Sequence, residues 1–198
     1  MGKKFHYEER QQPELRAVAQ QMLPLIRREA FWTAGRSCIL DSGADSPVTY
    51  EDVVMTLGEG IDCLQEDFAQ KGLLCECYML EALAGELLMC AYKAYNQSVR
   101  EKCSRHVARY HFPGAEKAFP LEQLSRILKN LSTPVVCNEA FCLLPQKSVA
   151  FVAELTQNEE IQCGGICPEC SSTGCPNRVA DLRLNYGYSR IFGRNSDS

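Results

Sequence analysis

The sequence predicts an α+β core with a cysteine-rich C-terminal tail, and three observations carry that reading. Residues 73–107 form a long apolar run at helical spacing. Residues 48–57, 134–142 and 148–155 read as β segments. From residue 156 onward, apolar periodicity gives way to Cys, Gly and Pro. The core is accordingly placed at residues 1–155, with residues 1–50 as a helical lead-in, and the appendage at residues 156–198. An antiparallel or mixed sheet packed on a long, buried central helix is expected.

Taken in order, Pro13 stands where a helix starts, and Leu15, Val18, Ala19, Met22 and Ile26 share a face behind it, with Pro24 expected to kink the helix. Residues 42–46 are turn-formers, after which Val53, Val54 and Met55 run apolar up to Gly58. Ile61, Leu64 and Phe68 mark a short amphipathic helix. In the first half of residues 73–107, Leu73, Leu74, Met79, Leu80, Leu83, Leu87, Leu88, Met89 and Tyr92 leave little polar face, so this helix should be central. Its Ala82, Ala84 and Gly85 are small enough to admit another backbone. Residues 109–114, Arg-Tyr-His-Phe-Pro-Gly, should end it in a turn. Pro120 then opens a helix with Leu121, Leu124, Leu128 and Leu131 on one face, and Pro145 with Gln146 turns the chain between the last two β segments.

With 198 residues, 45% hydrophobic and 23% charged, the chain suits one globular domain. A net charge of −4 argues against a nucleic-acid binder, which needs a dominant basic surface. The first residues lack the apolar stretch of a signal peptide, and no run is long enough for a membrane span, so a cytoplasmic protein is expected. In that compartment twelve cysteines point to reduced thiols, metal ligation or redox chemistry rather than disulfides.

Cys163, Cys167, Cys170 and Cys175 are crowded into one segment with Gly164, Gly165 and Gly174 between them and Pro176 after the last. Glycine lets a loop close tightly round a compact centre. A crowded run ending in Cys-Pro resembles [4Fe–4S] ligation, while zinc and free or paired thiols stay open. The first three cysteines also match the spacing of radical S-adenosylmethionine enzymes. In those enzymes the motif lies early in a partial β/α barrel, whereas 23 residues follow Cys175 here, and a fourth nearby thiol would close the open iron position that such chemistry needs, so a radical enzyme is not expected. The other eight cysteines, Cys38, Cys63, Cys75, Cys77, Cys90, Cys103, Cys137 and Cys142, mostly stand in apolar surroundings, where Cys behaves as a small hydrophobe, and are read as structural.

Three segments together resemble the activation domain of cobalamin-dependent methionine synthase and its stand-alone relatives. They are Val53-Val54-Met55-Thr56-Leu57-Gly58 with Ile61, Asp62 and the helix carrying Leu80 to Ala84; Arg109 to Gly114 with Pro120, Leu121 and Gln123; and Asn138-Glu139-Ala140-Phe141 with Pro145, Lys147, Ser148 and Val149. The resemblance implies that fold, over residues 50 to 155, and a bound S-adenosylmethionine. Arg109, ahead of Pro113 and Gly114, would hold the ligand's carboxylate in a bidentate fork, and Glu81, or in its place Glu139 or Glu86, would face the cationic centre. His111 falls inside the same motif. Where the family usually has tyrosine after the Pro-Gly step, this chain has Ala115.

The role implied is reductive remethylation of oxidised cobalamin, the chain supplying the methyl donor as a methyltransferase component and not as a complete enzyme. It lacks the Asp-x-His-x-x-Gly signature that ligates cobalt, so the cobalamin would be held by a partner methyltransferase subunit, with a flavodoxin-like or ferredoxin-like electron donor. Two other classes stay open: an iron–sulfur electron-transfer activator of corrinoid proteins, and an interaction module that has kept this fold without its ligand.

Overall fold

The computed structural model describes residues 9–26, 32–40, 48–115, 117, 119–158 and 160, all within the unit Met1–Cys163. Helix α1 (Gln12–Met22) carries Pro13 in its first turn, where the missing N–H has no intrahelical partner to lose. It buries Leu15, Val18 and Met22. Pro24 does not kink it: the α-helix stops at Met22, and Pro24 lies within a single 3-10 turn, Leu23–Leu25. The lead-in is not helical throughout, because Trp32–Leu40 forms strand β1.

Strand β2 (Val48–Thr56) runs into helix α2 (Glu59–Gln70), whose buried residues are Ile61 and Phe68. Helix α3 (Leu74–Cys103) follows, and its two halves do different work. Met79, Leu80, Leu83, Ala84 and Leu87 pack with α1, α2 and Leu57 in one cluster. Further on, the Tyr92 ring stacks on Phe151 with centroids 5.2 Å apart, and Tyr95 meets Phe151 edge-on at 5.9 Å. Such aromatic pairs add to the area they bury. The helix is thus central as expected, except at its start, where Leu74 and Tyr78 remain 73% and 58% exposed. Gly85 admits no neighbour; a Cβ there would meet open space.

Ser104 ends α3 in the left-handed region (φ 49°), four residues before the expected stop, and the chain re-enters the sheet as strand β3 (His106–His111). Val107, Arg109 and His111 are therefore strand residues and not a helix end and turn. Helix α4 (Gln123–Leu131) buries Leu124, Ile127 and Leu131. The expected strand at residues 134–142 shrinks to β4 (Val136–Cys137), paired with β5 (Leu143–Leu144) around an Asn138-centred turn. Asn138 Oδ1 accepts the N–H groups of Ala140 (3.0 Å) and Cys142 (2.9 Å), an arrangement that favours a turn over a continued strand. Strand β6 (Ser148–Thr156) completes the core.

The main sheet is antiparallel, in the order β1-β2-β6-β3. Alternation gives it two apolar faces. Val54, Ala150 and Val152 pack under Leu124, Ile127 and Leu131 of α4, and Val53 and Phe151, also paired in register, face α3. Among the described residues the architecture is a mixed α+β sandwich of four helices round one four-stranded sheet. The cysteines with described side chains do not form the core: Cys63, Cys75 and Cys142 are exposed and Cys77, Cys90, Cys103 and Cys137 partly so. Those on helices lie beside the buried stripe, where Cys77 Sγ reaches Gln65 O at 3.7 Å and burial pushes the Cys90 thiol up.

Candidate functional site

Residues paired across antiparallel strands stand side by side on one face. Glu154 of β6 pairs with Tyr50 of β2 on one side and with Arg109 of β3 on the other, so the three form a row across the sheet. Arg109 reaches that face through a β-bulge between Val107 and Arg109. Without the extra residue, Arg109 would follow Val107, the partner of Leu155, to the opposite side.

The adjacent row is Asp52, Val152 and His111. These are buried, at 0%, 2% and 5% exposure, whereas Tyr50 and Glu154 are half-buried and Arg109 is exposed. The Tyr50, Glu154, Arg109 row therefore lies at the open margin of the face that α4 covers.

Two side chains join the rows. Glu154 Oε2 lies 3.1 Å from His111 Nε2, and the imidazole stacks on Phe119 at 4.3 Å with 17° between the planes. Tyr50 stands 6.0 Å from the same imidazole. Burial, and then the charge of Glu154, push the Tyr50 hydroxyl pKa upward.

The turn after β3 brings Phe119 into place. Gly114 adopts φ 84° and donates its N–H to Phe119 O at 2.7 Å, while Ala115 N–H closes on Phe112 O at 3.0 Å. A Cβ at Gly114 would meet Leu121 Cδ1 at 3.0 Å, so both backbone and space call for glycine.

The expected site residues divide accordingly. Arg109 and His111 share one face, with Pro113 and Gly114 directly behind them. Glu81 lies on α3, in the opposite layer, exposed and ion-paired with Lys147 just before β6 begins. Glu86 is buried on the same helix, and Glu139 is exposed in the Asn138 turn. Cys163, Cys167, Cys170 and Cys175 lie outside the described residues. Among the described residues, no group of three or more His, Cys, Asp or Glu could hold a metal ion, and no helix is long and apolar enough to cross a membrane.

Sequence reasoning missed Glu154, Tyr50 and Phe119. One signal for Glu154 was present: it is the only charged residue in the otherwise apolar run of residues 148–155.

Chemically, the margin offers a planar cation and a carboxylate side by side, flanked by aromatic rings. A small zwitterion with an apolar or aromatic extension would match it. No protein-family model matches this chain, and no curated protein does.

Proposed function

We propose that this chain is a cytoplasmic activation protein of the methionine synthase type, which binds S-adenosylmethionine for the reductive remethylation of cobalamin held by a partner methyltransferase. One observation supports this reading above the rest: Arg109 sits directly opposite Glu154 on the open margin of the sheet, just ahead of the Pro113-Gly114 turn. S-adenosylmethionine carries a carboxylate, an ammonium and a sulfonium within a few bonds of one another, so its recognition calls for opposite charges side by side. A guanidinium fork suits the carboxylate, and aromatic rings such as those of Phe119 and Tyr50 suit the apolar remainder.

In this reading the chain is a methyltransferase component with the activation-domain fold, and a flavodoxin-like or ferredoxin-like protein supplies the electron. The thiols of Cys163, Cys167, Cys170 and Cys175 are proposed to hold a [4Fe–4S] cluster or zinc, which iron and zinc analysis of anaerobically purified protein tests. The function itself is tested by titration calorimetry with S-adenosylmethionine, where saturable binding with one site per chain is expected. Absence of binding at millimolar ligand would overturn it.

A further inference from the structure

We infer that Glu154, and not Glu81, is the carboxylate that faces the ligand's sulfonium. The inference rests on the reading of the site as one for S-adenosylmethionine. In that ligand the sulfonium is three bonds from the α-carbon that bears the carboxylate. The group that recognises the sulfonium must therefore stand beside Arg109, if Arg109 holds the carboxylate.

Strand register decides between the two glutamates. Glu154 is the direct cross-strand partner of Arg109, on the same face. Glu81 is tied to Lys147, which precedes Ser148 at the far end of β6. The six steps from Ser148 to Glu154 span about 20 Å at about 3.3 Å per residue. Glu81 also belongs to α3, on the other face of the sheet, where Lys147 already offsets its charge.

Glu154 is equipped for the part. Its carboxylate is half-buried, which limits screening by water, and one oxygen is fixed by His111 at 3.1 Å while carboxylate geometry leaves further acceptor sites open. With Phe119 stacked on His111 and Tyr50 next in the row, the carboxylate lies at the foot of a short aromatic wall. A sulfonium is attracted by both, since aromatic faces carry negative potential.

The experiment is titration calorimetry of the full chain with S-adenosylmethionine and with S-adenosylhomocysteine, which differs by the methyl group and has a neutral sulfur. Glu154→Gln should weaken S-adenosylmethionine about tenfold, the scale of one charge-assisted contact, and change S-adenosylhomocysteine little. Glu81→Gln should leave the ratio of the two affinities as in wild type. An equal loss of both ligands in Glu154→Gln would confine that residue to holding His111 and overturn the proposal. So would a ratio that collapses in Glu81→Gln. If wild type binds neither compound, the underlying reading fails; if it binds S-adenosylmethionine and only the ratio test fails, the assignment of Glu154 alone falls.

Discussion

Arg126 grips the carboxylate of Asp52 with both terminal nitrogens, Nη1 to Oδ2 at 2.8 Å and Nη2 to Oδ1 at 3.1 Å, and Asn130 adds a third bond at 3.0 Å. Asp52 is 0% exposed, so helix α4 is keyed to the middle of the sheet by a charge that has no other described outlet. Removing one partner of such a pair strands the other in a low dielectric. Arg126→Ala is expected to lower the unfolding free energy by about 2–3 kcal/mol in urea denaturation, the partial exposure of Arg126 moderating the loss. Asp52→Val combined with Arg126→Leu should recover most of it. A single variant within about 0.5 kcal/mol of wild type would show that water replaces the guanidinium.

The tyrosines between α3 and the sheet set an alkaline limit. Burial raises the pKa of Tyr92, and burial with the neighbouring Glu51 charge raises that of Tyr95, whose hydroxyl donates to Glu51 Oε2 at 2.5 Å. The unfolded tyrosines ionise near pH 10. With folded values above that, the contribution to stability is complete below pH 10 and declines as pH rises beyond it. Tyrosinate absorbance should therefore grow together with the loss of near-ultraviolet circular dichroism above pH 10. Early titration of all tyrosines in a folded protein would contradict this.

Two glycines should respond with opposite signs. Gly114→Ala places a Cβ 3.0 Å from Leu121 Cδ1 in a left-handed backbone, and a loss of about 1–2 kcal/mol is expected. Gly85→Ala sits inside α3 with nothing within 4 Å of the new atom, and should gain about 0.5–1 kcal/mol from helix propensity. Thermal melts of both variants check the pair.

How far the fold could be read from the residues depended on whether local pattern and tertiary role agreed. The buried stretch of α3 and the apolar run of β6 have enough periodic residues to announce themselves. Strand β1 does not: Gly35, Arg36, Ser37 and Cys38 interrupt any alternation, and pairing with β2 holds it in place. Strand β3 was hidden because helical spacing continues through Val107, and only the left-handed Ser104 stops the helix. Arg109 could be picked out by its motif, but its neighbour Glu154 is 45 positions away and is supplied by a bulged register that local patterns do not encode. The apolar surroundings expected of the cysteines hold for Cys77 and Cys137, which pack against the core clusters, whereas tertiary packing left Cys63, Cys75 and Cys142 exposed.

Arg109 itself gives the most direct test of the binding reading. It lies on β3, separated from the end of α3 at Cys103, so it does not cap that helix, and its side chain is exposed. At an exposed position an ion pair or hydrogen bond contributes only about 0–1 kcal/mol to stability. Arg109→Ala should therefore lower the melting temperature only slightly. If the guanidinium holds the ligand's carboxylate, the same substitution removes a charge-assisted bidentate contact of roughly 2–3 kcal/mol, which corresponds to an affinity loss of about 30- to 150-fold. Arg109→Lys should recover only part of that affinity, because an ammonium is a point charge without the planar fork. The cross-strand partner Glu154 provides an internal control: losing an opposite-charge neighbour across the sheet costs about 0.2–1 kcal/mol, which would appear as a small shift in melting temperature independent of ligand. Calorimetry and thermal melts on the three proteins separate the two effects. Tight binding by Arg109→Ala together with a clearly lower melting temperature would reduce Arg109 to a structural residue of the sheet edge.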